Sequence, residues 1–204
     1  MQPPSPDRPG GDSRQGPSEN QPRRVFSRGA GEAPTLEGLA PIVSPGVVLL
    51  VLGSFPGARS LAEGRYYAHP QNQFWKILQA LWPSSPLPPG TAFSPRADWL
   101  LERGVGVWDV YGTCAREGSL DASIRDAVLN DFAGLDLPRL AAVAHNGAES
   151  FRHAPKVIEA LRAGGHAELP AYKLPSTSPA HAAWSFERKC EAWREVFARH
   201  GLVA

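Results

Sequence analysis

The sequence predicts an α/β fold, a parallel four-stranded sheet covered by helices on both faces. Three observations carry this. Candidate strands recur at residues 47–52, 105–110, 140–144 and 172–174, and the first is continuous in Val and Leu, as a strand buried on both faces is. Segments with apolar residues at helical spacing lie between these runs. Polar loops rich in Gly, Pro, Asn and Ser follow three of them. Strands alternating with helices imply parallel pairing through right-handed crossovers.

The elements follow in order. Residues 1–40 hold seven Pro and six Gly with few large apolar side chains. Such a segment cannot offset its ordering entropy, so it is expected to be a disordered tail ahead of one domain over 41–204. Residues 47–52 form the first strand. Residues 72–81 form a helix, with Phe74/Trp75, Leu78 and Leu81/Trp82 at helical spacing and Pro83 as its stop. Pro and Ser mark 84–95 as a surface loop, and 96–103 is a short helix ended by Gly104.

Residues 105–110 (VGVWDV) are the second strand, and Ser119 is an N-cap for a helix over 120–128. The third strand, 140–144, ends in His145-Asn146-Gly147 and runs into a helix interrupted at Pro155. The fourth, 172–174, ends in Pro175-Ser176-Thr177-Ser178-Pro179. The last helix, 185–199, places Phe186, Cys190, Trp193 and Phe197 at i, i+4, i+7 and i+11, a stripe that packs on the sheet. Arg188, Lys189, Arg194 and Arg199 alternate with Glu187, Glu191 and Glu195 there, which reads as a solvated face.

A formal net charge of +1 gives no bulk field toward nucleic acid or membrane, so any polyanion contact must come from a local patch. Cys114 and Cys190 stand alone, which excludes a four-cysteine iron–sulfur site and argues against a thiolate zinc site. No metal or other cofactor is expected. No apolar leader or eighteen-residue apolar run occurs, so a cytoplasmic protein without membrane contact is expected. Protease, zinc-hydrolase, NTPase and dinucleotide-binding motifs are missing.

Three polar clusters, Gly-Ser-Phe-Pro-Gly (53–57), His-Asn-Gly (145–147) and Pro-Ser-Thr-Ser-Pro (175–179), each follow a predicted strand. Ligands bind outside the carboxyl ends of parallel strands, so the clusters converge on one site. In the first, Gly53 and Gly57 permit close approach and unusual φ, and main-chain N–H groups around Ser54 and Phe55 can bond a base carbonyl. Tyr67 has the character of a ring that stacks on an extruded base while Tyr66 reads as core; the other reading is that both rings simply pack. Asn72 has two readings, a helix N-cap or a carboxamide that orients water against an electrophilic sugar carbon. His69 either assists there, binds phosphate or stabilises its loop. Asn146 is either a turn residue or a reader of a purine edge. Ser176, Thr177 and Ser178 offer hydroxyls and amides ahead of the last helix to DNA phosphates, or cap that helix; His181 adds a donor.

GSFPG, YYAHPQNQFW, VWDV followed by GSLDASI, HNG and LPSTSPA, in that order over about residues 46–200, resemble the uracil-DNA glycosylase superfamily, most closely its hypoxanthine-DNA (deoxyinosine) glycosylase branch. The resemblance implies a three-layer α/β/α sandwich with a central four-stranded parallel sheet, and no metal or cofactor. It implies hydrolysis of the N-glycosidic bond of hypoxanthine in base excision repair, with uracil or xanthine as candidate further substrates; the alternative readings are a G:T/U mismatch-specific uracil-DNA glycosylase and a damaged-DNA-binding module without catalysis. It implies a nucleoid-associated monomer acting on double- or single-stranded DNA. Five tail arginines, Arg8, Arg14, Arg23, Arg24 and Arg28, would add weak nonspecific DNA affinity.

Relatives of the mismatch-specific type carry the water-positioning Asn in the first loop, where this chain has Ser54-Phe55. In the deoxyinosine branch the resemblance passes that role to Asn72, with Asn146 assisting. It places Tyr67 on the base and PSTSP on the DNA backbone. Family members often have Asn after SPA, where this chain has His181. The chemistry suits such residues. A purine leaving as an anion needs hydrogen bonds, and water adding to an oxocarbenium carbon needs no strong base.

Overall fold

The structure is a computed structural model and describes residues 34–89 and 93–204. Along the chain the elements run β1 (Thr35–Glu37), β2 (Leu49–Gly53), α1 (Ala58–Glu63), α2 (Phe74–Leu81), α3 (Phe93–Leu101), β3 (Val105–Asp109), β4 (Tyr111–Ala115), a 3-10 turn (Asp121–Ser123), β5 (Arg125–Leu129), β6 (Ala142–Asn146), α4 (Ala148–Phe151), α5 (Ala154–Ala163), β7 (Ala171–Leu174) and α6 (Phe186–Arg199).

The continuous aliphatic runs make the central strands. All five residues of β2 and all five of β3 are buried, which leaves neither face polar. The main sheet has the order β3-β2-β6-β7, and every pair in it is parallel. From β2 the chain crosses to β3 on one side; from β6 it crosses to β7 on the other. Right-handed crossovers in opposite directions put α1–α3 and α4–α5 on opposite faces. Trp82 packs edge-on against Trp99 and Phe197, which joins α2, α3 and α6 into one layer. The result is the expected three-layer sandwich. Among the described residues no helix is long and apolar enough to cross a membrane.

The structure departs from the sequence reading in several places. Residues 120–128 are not a helix: after the 3-10 turn the chain extends into β5, which pairs antiparallel with β4, and β4 pairs with β1. Leu120, Ile124 and Val128 imitate helical spacing, but pairing with β4 overrides it. β1 also falls inside the stretch expected to be a disordered tail, so the fold begins ahead of residue 40. The tail arginines lie outside the described residues. α3 starts at Phe93, within the expected loop, and α1 was not foreseen. The break at Pro155 is real, since α4 ends at Phe151 and Pro155 lies in the first turn of α5.

Candidate active site

Strand order reverses between β2 and β6, and the ends of these strands place Gly53 and Asn146 at the switch point. Gly53 pairs in register with Asp109, the last residue of β3. A Cβ on Gly53 would strike the Asp109 carboxylate and lie 3.4 Å from the Tyr67 hydroxyl, so only glycine lets these groups meet here. Neither Gly53 nor Gly57 adopts positive φ, contrary to expectation; Gly147 does, at 110°, with Ser176 against its Cα.

The rest of the first loop is tied down. Ser54 Oγ donates to Asp121 at 2.6 Å, and Ser119 Oγ accepts from the Ala58 N–H at 3.0 Å beside Gly57. The Phe55 ring is buried beneath the Arg116 guanidinium, at 5.0 Å from it, and so offers the site only its main chain. Phe55 and Gly57 keep main-chain N–H groups with no acceptor among the described residues.

Tyr67 holds a left-handed conformation, φ 53°, which a tyrosine adopts only when its surroundings enforce it. They do so at both ends. Its ring stacks on Phe74 with centroids 3.9 Å apart, and its hydroxyl accepts from Asn146 Nδ2 at 3.2 Å. Burial, reinforced by the nearby Asp109 carboxyl, pushes this phenol well above its ordinary pKa. Tyr66 is core, its hydroxyl on the Leu39 and Ala40 carbonyls.

Asn146 is fully engaged on its donor side. Its Nδ2 also donates to Thr177 Oγ1 at 2.9 Å, and its Oδ1 accepts from the Thr177 N–H at 2.9 Å. Thr177 is 0 % exposed and therefore cannot grip phosphate; it is a joint between strand ends. Ser176 and Ser178 stay half-buried, with hydroxyls that accept from the N–H groups of Ser178 and Ala180. The phosphate-binding helix terminus expected behind them is absent. α6 is capped by Ser185, seven residues past Ser178.

The turn carrying Asn72 docks onto this joint, because Gln73 N–H donates to the Thr177 carbonyl at 2.9 Å. Asn72 Oδ1 accepts from the Phe74 N–H at 3.0 Å, ahead of α2, and its Nδ2 has no partner among the described residues. The N-cap position of α2 belongs to Gln73, so Asn72 sits one residue before it and bonds the first N–H of the helix from there. His69 is exposed, and its Nδ1 accepts from the Gln71 N–H, a loop-stabilising contact. His181 is half-buried, with its carbonyl on Lys189.

Lys189 corrects the sequence reading. It is 2 % exposed, and its Nζ donates to Gln73 Oε1 and the His181 carbonyl, each at 2.8 Å. It joins the Asn72 turn to the PSTSP loop. His145 is structural: its Nδ1 meets Ser150 Oγ at 2.8 Å, that hydroxyl donates to the Leu52 carbonyl, and burial lowers the imidazole to about 4.

Asp109 escaped the sequence reading. It is 4 % exposed, its Oδ2 has no hydrogen-bond partner among the described residues, and burial raises it to about 8 despite the positive Arg116 nearby. An acidic residue inside the apolar run VGVWDV, at a strand's carboxyl end, was the available signal. An apolar groove of about 520 Å³ between α4, α5 and β7 touches none of these groups.

The Uracil DNA glycosylase superfamily model matches residues 40–198. A hypoxanthine DNA glycosylase of Methanosarcina acetivorans is 32% identical over 166 residues, covering 80% of this chain and 98% of that one. Its counterpart from Methanosarcina barkeri is 30% identical over 165 residues, with the same coverage. A solution NMR structure from Methanosarcina acetivorans, described as a uracil DNA glycosylase, superposes with a TM-score of 0.65 at 29% identity, covering 82% of this chain and 99% of that one. With a family match across most of its length, this chain belongs to the uracil DNA glycosylase superfamily.

Proposed function

We propose that the chain excises hypoxanthine from DNA, with uracil and xanthine as further substrates, by hydrolysing the N-glycosidic bond. The observation that carries this is the meeting of Gly53, Tyr67 and Asn146, from three separate segments, at the carboxyl ends of β2 and β6, with the turn carrying Asn72 docked on Thr177 beside them.

An extruded base stacks on the Tyr67 face turned away from Phe74. Its oxygen takes the N–H groups of Phe55 and Gly57. The second lone pair on Asn146 Oδ1 accepts from a ring N–H. The C1′–N bond breaks with its electron pair leaving on the base, and the sugar becomes an oxocarbenium ion. Asn72 holds the attacking water: one lone pair of Oδ1 is spent on Phe74, which orients the carboxamide, and the other accepts a water O–H. Water oxygen bonds to C1′, and its proton neutralises the departed base. Positioning and fixed dipoles supply the rate.

Ser176, Ser178 and His181 line the rim where the DNA backbone passes. The reading extends to a monomer working on DNA in the nucleoid; among the described residues the exposed large apolar side chains are Leu120 and Val128, which supports the monomer alone. The test is incubation with duplexes and single strands containing deoxyinosine, deoxyuridine or deoxyxanthosine at stated salt, followed by alkaline cleavage of abasic sites. Excision of hypoxanthine ahead of uracil is the expected result; tight binding without any abasic product would overturn the reading.

A further inference from the structure

We propose that Asp109 is a further base-binding residue of this site, a carboxylic acid whose O–H donates to the expelled base as negative charge grows on it. The inference rests on the glycosylase reading above.

Three features of the geometry point to it. Asp109 ends β3 in register with Gly53, so its side chain stands at the carboxyl edge of the sheet beside the first loop. The missing Cβ at Gly53 is what admits its Oδ1, and the Tyr67 hydroxyl approaches the same spot. Its Oδ2 is buried without a partner among the described residues, although a native fold satisfies nearly every buried polar atom. The carboxyl is therefore incomplete until something arrives.

The protonation state follows from its neighbours. The Tyr67 hydroxyl faces it from the loop after α1, Arg116 from the segment after β4, and Asp121 from the 3-10 turn. Arg116 favours the carboxylate, but no ion pair forms between the two among the described residues; its Nη2 is spent on the Pro56 carbonyl. Burial and Asp121 act the other way, and the acid is neutral at pH 7. This state is the useful one. A carboxylate would repel the electron pair arriving on the base, whereas a buried neutral acid can donate to it. The proton stays on Asp109 throughout, and the attacking water supplies the one the base finally takes.

The experiment measures single-turnover excision of hypoxanthine from pH 6 to pH 10 for the wild type, Asp109→Asn and Asp109→Ala. The wild-type rate should fall about tenfold per pH unit above pH 8, as the donor is lost. Asp109→Asn keeps an N–H donor, so its rate at pH 7 should stay within about tenfold of wild type and lose that alkaline fall. Asp109→Ala should be slower by about 10²-fold or more, the usual effect of removing one such donor. An unchanged alkaline limb in Asp109→Asn overturns the inference and leaves the glycosylase reading standing. A wild type that excises no base defeats that reading instead. Independently, the 13C resonance of the Asp109 carboxyl in the wild-type protein should titrate near pH 8; titration near pH 4 overturns the inference whatever the kinetics show.

Discussion

The carboxamide of Asn146 donates to the hydroxyl of Tyr67 at 3.2 Å, across 79 positions of sequence. One residue ends β6 and the other follows α1, so a single hydrogen bond fixes the distance between the Tyr67 ring and the sheet edge. The left-handed backbone of Tyr67 needs such an anchor, since strain of this kind persists only where the surroundings over-determine it.

Tyr67→Phe keeps the stack on Phe74 and removes only the anchor. Excision should fall by about tenfold, the worth of roughly one hydrogen bond. Asn146→Ala removes the anchor, the contacts to Thr177 and the proposed bond to the base, so its kcat/KM should fall about 10²–10³-fold. Equal losses in the two variants would mean that Asn146 acts only through Tyr67.

Asn72 accepts from the Phe74 N–H and is proposed to hold the attacking water, and substitution tests both. Asn72→Asp retains an oxygen to accept from the Phe74 N–H, while Asn72→Ala leaves that first helical N–H without its acceptor. The alanine variant should lose about 1 kcal/mol of stability in urea unfolding, and the aspartate variant much less. Asn72→Ala should lose excision by about 10²-fold or more, because it removes the oxygen proposed to hold the water, whereas Asn72→Asp keeps that oxygen and should lose less. Excision undiminished in Asn72→Ala would remove this residue from the reaction.

The parallel sheet was legible because β2, buried on both faces, must be continuously apolar, and no other placement suits VVLLVL. The polar clusters were legible for the same reason, since chemistry collects where such strands stop. The small antiparallel sheet was not. β5 (RDAVL) is mostly exposed and carries no period-2 signal, so only its partner β4 makes it a strand. Thr177 and Lys189 were misread for a related reason. A threonine in a Ser-rich loop and a lysine among Arg and Glu look solvated. Their burial depends on Asn146, Gln73 and the His181 carbonyl, which the fold brings from far along the chain.

Lys189 therefore makes a sharp prediction. Lys189→Met keeps the buried stem but leaves Gln73 Oε1 and the His181 carbonyl without their donor. Stability should fall by about 1–3 kcal/mol, the cost of unsatisfied buried acceptors, read from the urea midpoint. The junction of the Asn72 turn with the PSTSP loop should also loosen, raising KM for damaged DNA more than it lowers kcat. A surface lysine would produce neither effect.

Asp109 and His145 give opposite pH dependences of stability, and two variants expose them. The imidazole of His145 titrates near 6.5 when unfolded and at about 4 when folded. Between those values the unfolded chain holds a proton that the native one lacks, so stability falls as pH drops through this window, by about 3 kcal/mol in all. Asp109 titrates near 3.8 when unfolded and at about 8 when folded. From pH 4 to 8 the native chain holds the extra proton, so stability falls as pH rises, by on the order of 5 kcal/mol. Between pH 4 and 6.5 the two slopes oppose each other in the wild type. Asp109→Asn leaves His145 alone, and relative to wild type its stability should climb steadily from pH 4 to 8. His145→Asn leaves Asp109 alone and, relative to wild type, should lose ground as pH rises from 4 to 6.5, then run parallel to it. Urea midpoints at pH 4.5, 6.5 and 8.5 read both differences. Parallel curves for all three proteins would place neither group in the buried, uncharged state that the fold imposes on them.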